Sequence, residues 1–110
     1  MPTPLNTFKT TTANVTTGTT TVYTTPSGIT TVVLLAQASN IGGNVVGVTA
    51  THLRSSVPTK LIANVQIPPM DAISLLSGKL VLQDSDSITI AASADNEIQF
   101  LLSYLETTNP

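Results

Sequence analysis

The segment SITIAASADNEIQFLLSYLE, residues 87–106, decides the fold class of this chain. Every second residue from position 98 to position 104 is large and apolar, so these side chains share one face of an extended backbone. They are Ile98, Phe100, Leu102 and Tyr104. Asp95-Asn96 predicts a turn between this strand and the strand at residues 87–94. Short strands separated by such turns are the signature of an antiparallel sandwich or barrel.

Other strand patterns occur along the rest of the chain. Residues 45–53 and 60–67 alternate, whereas residues 29–39 form a nearly uninterrupted apolar run, which is typical of a strand covered on both faces. A short helical turn is expected only within residues 70–77. Because turn signals recur about every ten residues, we predict an all-β fold: a single antiparallel β-sandwich of seven or eight strands. Periodicity does not choose between jelly-roll and immunoglobulin-like topology.

The N-terminal segment differs from the rest in composition. Of the first 31 residues, 14 are Thr, and Pro2 and Pro4 disfavour regular structure at the start. Thr is β-branched and favours extended backbone. We predict an extended Thr/Pro-rich N-terminal arm at residues 1–18, with a turn at Gly18, followed by the sandwich domain at residues 19–110.

The scarcity of charge is the strongest indication of function class. Charged residues make up 9% of the chain, against about 25% in an ordinary domain. Thr, Ser and Asn take their place, and these groups cost less to desolvate than charges do. Such a surface is typical of a subunit packed against other subunits, so we expect no enzymatic activity.

Several partner classes find no support in the sequence. The cations Lys9, Arg54, Lys60 and Lys79 are scattered, whereas nucleic-acid binding requires clustered ones. No apolar run reaches the roughly 18 residues of a membrane-spanning helix, and no signal peptide is visible. We therefore expect neither a nucleic-acid nor a membrane partner.

The ionisable residues form no catalytic or metal-binding motif. His52 is the single histidine, and we interpret it as a half-buried strand residue with one hydrogen bond rather than a general base or metal ligand. Asp84 and Asp86 flank a turn but lack the further ligands of a calcium loop, and Asp in turns commonly bonds its own backbone. We predict no catalytic, cofactor-binding or metal-binding residue, and no cofactor.

The second face of the last strand carries apolar residues where a monomer usually carries charge. Either the arm or a loop of the same chain covers Leu101 and Leu105, or another subunit does. We predict a subunit contact that also includes apolar residues of the N-terminal segment. The candidate contact residues are Leu5, Phe8, Tyr23, Leu101 and Leu105.

Several stretches carry a resemblance to a known family. They are Val22 to Gly28, Ser77 to Leu82, Ser87 to Ala94 and Leu102 to Glu106. Over roughly residues 20–106 the chain resembles small tailed-phage virion structural proteins, found in phages of cyanobacteria and marine bacteria. That family often has Gly in the acidic turn where this chain has Ser85.

The resemblance implies a virion protein assembled in the host cytoplasm, and it supplies no functional residue. The first hypothesis is a capsid decoration (cement) protein, a homo-oligomer and by the symmetry of capsid sites a trimer, bound to the major capsid protein or other virion proteins. The alternative is a neck, tail, baseplate or fibre accessory. The second alternative is a host-glycan-binding module, for which Tyr23 is the candidate exposed aromatic.

Overall fold

The computed structural model describes residues 6–76 and 78–108, and the described part of the chain forms nine strands and no helix. The prediction of an all-β sandwich is confirmed. The strands are β1 (Asn6–Val15), β2 (Thr20–Thr24), β3 (Ile29–Asn40), β4 (Val46–Arg54), β5 (Val57–Ile67), β6 (Ala72–Ser74), β7 (Leu80–Leu82), β8 (Ser87–Ala92) and β9 (Ile98–Thr108).

The strands form two antiparallel sheets. The five-stranded sheet has the order β1-β9-β3-β6, with β7 also paired to β3. The four-stranded sheet has the order β2-β8-β4-β5. Because β6 pairs with residues 37–39 of β3 and β7 with residues 31–33, the two short strands act as one interrupted strand.

This strand order is that of a jelly roll. With β6 and β7 counted together, the first strand pairs with the last, the second with the second last, and so on inward to the β4–β5 hairpin. Such a nested ribbon folded into two sheets is the jelly-roll topology. The structure therefore decides between the two topologies that periodicity left open.

The core lies between the sheets and contains the faces predicted by alternation. In β9 the inward residues Ile98, Phe100 and Leu102 are at most 1% exposed, and Tyr104 is 5% exposed. In β4, Val46, Val48 and Ala50 are buried on the same inward face. These two strands match the sequence prediction because each has one face against the core.

Strand β3 is covered on one face only, so the expectation of a strand covered on both faces is wrong. Its inward residues Thr31 and Val33 are fully buried, whereas Leu34 and Leu35 are 39% and 40% exposed. A register shift between Val33 and Leu35 marks a bulge against β9. The apolar run reflects an apolar outward face rather than a second layer of the same chain.

The helical turn expected at residues 70–77 does not form in the described part of this segment. Residues 72–74 instead add to β3 as β6, and Leu75 N continues the ladder by donating to Ala36 O at 2.8 Å. The free edge of β3 provides hydrogen-bond partners that local propensity does not reveal. No helix in the described residues has the length and apolarity to cross a membrane.

Most of the N-terminal segment is a regular sheet strand. β1 pairs with β9 without interruption from Asn6, opposite Thr107, to Val15, opposite Ile98. Gly18 lies in the connection to β2, where a turn was predicted. The division into arm and domain at residue 18 stays a prediction, and Leu5 lies outside the described residues.

We predict that Phe100→Ala lowers the free energy of unfolding by about 3–5 kcal/mol, because it removes a 1% exposed aromatic side chain from the core. The matched variant Gln99→Ala changes the outward neighbour on the same strand and is expected to change it by about 0.5 kcal/mol or less. Chemical denaturation measures both. Equal losses would contradict the assignment of the two faces.

Candidate functional site: the outward face of the five-stranded sheet

The five-stranded sheet presents to solvent a face without charge, here called the outward face. It consists of the strand residues that alternate with the core, as the registers of β1, β9, β3, β6 and β7 fix them. None of these described residues is ionisable. They are Asn6, Phe8, Thr10, Thr12, Asn14, Thr30, Val32, Leu35, Gln37, Ser39, Ala72, Ser74, Val81, Gln99, Leu101, Ser103, Leu105 and Thr107.

An apolar row crosses this face from edge to edge. Phe8 lies opposite Leu105, which lies opposite Val32, which lies opposite Val81. Phe8 is 72% exposed and Val81 49% exposed. Leu35, opposite Ser103, occupies the next outward-facing position of β3 after Val32 and extends the apolar surface along the sheet. Contiguous exposed apolar patches of a few hundred Å² are often functional in monomeric proteins.

The other end of the outward face is polar and concave. A groove of about 560 Å³ is lined by Thr12, Asn14, Gln37, Ser39, Gln99 and Leu101, together with Ala13 and Phe100. The Gln37 side chain donates to Ser39 Oγ at 3.2 Å, so part of the hydrogen-bonding capacity is already used within the face. The remaining amides and hydroxyls can bond a neighbour without desolvating a charge.

The structure brings three of the five predicted contact residues together. Phe8, Leu101 and Leu105 all lie on the outward face, Phe8 directly opposite Leu105. Tyr23 lies on the inward side of β2, opposite the buried Ile88, and its ring packs on Tyr104 with centroids 4.5 Å apart. Tyr23 therefore has an internal role in this structure. The subunit-contact assignment itself stays a prediction.

A partly buried cluster beneath the outward face fastens β1 to the sandwich. Glu106 is 8% exposed and accepts from Lys9 Nζ at 2.8 Å and from the Tyr23 hydroxyl at 2.5 Å. The Thr31 hydroxyl lies 2.8 Å from the Tyr23 oxygen, and Thr11 Oγ1 lies 3.0 Å from the Tyr104 hydroxyl. The cluster joins β1, β2, β3 and β9, and sequence reasoning missed it because its members are far apart in the chain.

The cluster holds its charges in fixed protonation states. Burial raises the pKa of Glu106, but the bonds from Lys9 and Tyr23 outweigh burial, so its pKa lies below the ordinary value. Burial, and next the bond to Glu106, raise the pKa of Tyr23, so the hydroxyl stays protonated and donates. The bond to Glu106 raises the pKa of Lys9. At neutral pH the cluster is a carboxylate held between an ammonium and a phenol.

We predict that Tyr23→Phe lowers the free energy of unfolding by about 1–3 kcal/mol, because the buried carboxylate of Glu106 loses a donor. Hydrogen exchange of the β1 amides is expected to accelerate more than that of β4. Thr21→Val, an exposed change on the same strand, serves as the control. Unchanged protection of β1 would show that Tyr23 does not fasten it.

A second buried carboxylate organises the opposite sheet. Asp86 is 2% exposed and accepts from Arg54 Nη2 at 2.7 Å and from the Gln83 backbone N–H at 2.9 Å. His52 Nε2 lies 3.1 Å from the same carboxylate. His52 is half-buried with this hydrogen bond, as predicted, and its partner is 34 residues away in the chain. Arg54, His52 and the Gln83 N–H all bond to the Asp86 carboxylate and hold it in the acidic turn.

The acidic turn follows the expected use of Asp at Asp86, which accepts from the backbone N–H of Gln83 within the turn. The expectation is wrong for Asp84, whose partners lie outside its own backbone. Asp84 accepts from the backbone N–H of Gly28 and from Ser85 Oγ, at 3.0 and 2.9 Å. Ser85 adopts a φ of 67°, the left-handed region that favours glycine. Within residues 6–76 and 78–108, no group of three or more acidic or histidine side chains is placed to hold a metal ion.

The stability of the fold should depend on pH through Asp86. The bond from Arg54 lowers the pKa of Asp86 to about 2, against the penalty of burial. A depressed pKa contributes stability above the unfolded value near about 4, and that contribution is lost as pH falls toward 2. We predict that the difference in unfolding free energy between wild type and Asp86→Asn shrinks over this interval in denaturation curves. A difference that does not vary with pH would contradict the ion pair.

Comparison with known proteins supports the fold. No protein-family model and no curated protein matches the sequence. A chain of Bacillus endospore appendages, which form disulfide-linked pili, aligns over 98% of this chain and 90% of that chain with a TM-score of 0.61 and 13% identity. A chain of the T13 IBDV viral particle aligns over 96% of this chain with a TM-score of 0.53 and 15% identity.

These similarities agree with the β-sandwich fold, whose strand order is that of a jelly roll. At 13% and 15% identity, the likeness shows the fold alone. This chain spans 31% of the IBDV chain, so it corresponds to one part of that protein. It contains no cysteine, so the disulfide linkage of the endospore pili has no counterpart here.

Proposed function

We propose that this chain is a non-enzymatic structural subunit of a tailed-phage virion, where it acts as a capsid decoration protein that strengthens the head. Its partners are the major capsid protein or other virion proteins, and it joins the particle in the host cytoplasm. The observation that supports the proposal best is the outward face, which is free of charge and crossed by the row from Phe8 to Val81. Sharing a fold with an icosahedral particle protein agrees with it.

The energetics of the face suit attachment in many copies. The exposed parts of Phe8, Leu35 and Val81 amount to roughly 300 Å² of apolar surface, or roughly 7 kcal/mol at about 25 cal/mol per Å². Association costs at least about 4 kcal/mol in lost freedom of motion. One copy therefore binds weakly through the apolar row alone, and multivalent attachment to a lattice strengthens it.

The electrostatics of the face support a protein partner. Burial of hydroxyl and amide groups costs little when a neighbour supplies hydrogen bonds, whereas burial of an unpaired charge costs several kcal/mol. The two buried carboxylates of the chain, Asp86 and Glu106, are already paired inside the sandwich. Docking of the outward face on another protein therefore desolvates no charge of this chain.

The two alternatives stand differently against the structure. A neck, tail, baseplate or fibre accessory would use the same face with fewer copies. A glycan-binding module would need Tyr23 as a stacking platform, but its ring packs on Tyr104 and its hydroxyl is bonded to Glu106. We retain the accessory role as the second candidate and give the glycan-binding role no further weight.

We predict that Leu101→Asp abolishes attachment to particles lacking the protein, because it places a charge beside the groove of the outward face. Thr21→Asp places the same charge on the exposed outer side of the other sheet and should attach normally. Circular dichroism verifies that both variants fold, and mass spectrometry of purified particles counts bound copies.

The copy number separates the two candidate roles. A number that matches the capsid lattice supports the decoration protein, whereas one that matches the symmetry of a neck or tail supports the accessory. Attachment of Leu101→Asp at the wild-type level would remove the outward face from the mechanism. Absence of the wild-type protein from particles would overturn the proposed function as a whole.

A further inference from the structure

Three of the four sheet edges are protected against pairing with another chain. β2 has five residues with a bulge between Thr21 and Tyr23. β5 has register shifts against β4, a proline at position 58 and a left-handed residue, Asn64, at φ 48°. The edge formed by β6 and β7 consists of two pieces of three residues each. Short strands, bulges and proline are the devices by which proteins block unwanted edge pairing.

The fourth edge, β1, has none of these devices. It is ten residues long, pairs with β9 without a bulge and contains no proline or left-handed residue. Its one charged side chain, Lys9, is bound to Glu106. In the described part of the chain, β1 pairs with β9 alone, and the backbone groups of residues 6–14 that point away from β9 have no backbone partner. A charge is a further blocking device, and the Lys9 side chain is 49% exposed, but its ammonium is held by Glu106. A long, regular edge without a bulge or proline is a template for a further strand.

We propose that β1 pairs antiparallel with β1 of a second copy of this chain, so that the two five-stranded sheets become one continuous sheet. The inference deepens the proposed structural role and rests on it. A second copy is the occupant that the edges favour, because β1 is the one regular edge among residues 6–76 and 78–108. A two-fold contact covers both exposed edges at once.

The side chains of β1 suit this symmetric pairing. Continuous outward faces require cross-strand partners of the same face, so the two-fold axis passes through a residue. The overlap of Asn6–Val15 with its copy is greatest when that residue is Thr10 or Thr11. A Thr–Thr pair is favourable at such a position. Lys9 then lies opposite Thr11 or Ala13 of the other copy, so the two ammonium groups do not face each other.

The pairing also enlarges the uncharged outward face. Phe8 stands at the β1 end of the apolar row and is its most exposed member. With two copies joined at β1, the two rows lie on the same side of one sheet, and the outward faces form a single surface with twice the area. The contact is two-fold, so it yields a dimer, in contrast to the trimer that the symmetry of capsid sites suggests.

The absence of cysteine makes the contact testable by cross-linking of the full chain. Thr10→Cys, alone and mixed with Thr12→Cys, places thiols on the exposed outward side of β1. Centring on Thr10 gives disulfide-linked dimers of Thr10→Cys alone, and centring on Thr11 gives them between the two variants. Ser74→Cys, equally exposed on the opposite edge of the same sheet, is the control and should remain uncross-linked.

Native mass spectrometry of the wild-type chain completes the test, with a dimer expected. A monomer, a trimer, or cross-linking of Thr10→Cys to a different virion protein would overturn the β1 pairing. Leu101→Asp keeps the dimer under this proposal, because Leu101 lies on β9 rather than on the edge. A wild-type chain that attaches to particles without forming a dimer would overturn this inference alone. A wild-type chain that fails to attach to particles would overturn the proposed function.

Discussion

The structure depends on the pairing of its first strand with its last. β1 runs along β9 over ten residues, and the Glu106 carboxylate, bound by Lys9 and Tyr23, fixes that pairing from the inside. Without this pairing, β9 would lose one of its two neighbouring strands and would itself become the edge of the sheet. Since the two strands lie at opposite ends of the chain, this contact closes the jelly roll, and both the outward face and its free edge follow from it.

The distribution of charge is unusual for a small domain. Two of the six acidic residues, Asp86 and Glu106, are buried and paired, whereas the outward face of the five-stranded sheet has hydroxyl, amide and apolar groups. Buried ion pairs contribute little net stability once desolvation is counted, so their value lies in fixing β1 and the acidic turn in one geometry. The uncharged face, in turn, can be covered by another protein at small cost.

The outward face and the β1 edge are neighbouring features of one sheet, and each supports a role in an assembly. The face offers apolar and hydroxyl groups to a partner, and the edge offers unpaired backbone groups. A fold shared with chains of a bacterial appendage and a viral particle agrees with this role, although identities of 13% and 15% carry only the fold. Hydrogen bonds along an edge also need no particular side chain, which is why a Thr-rich strand suffices.

The sequence by itself determined the class of the fold and the alternating faces of β4 and β9, because a period of two reports which side chains share a face wherever one face meets the core. It also indicated Phe8, Leu101 and Leu105 as contact candidates from their apolar character where charge was expected. Only the tertiary structure decided the strand order, the one-sided burial of β3, the strand β6, the inward position of Tyr23 and the meeting of His52 with Asp86. Those features depend on pairing between residues distant in the chain, and a local pattern has no information about its partner.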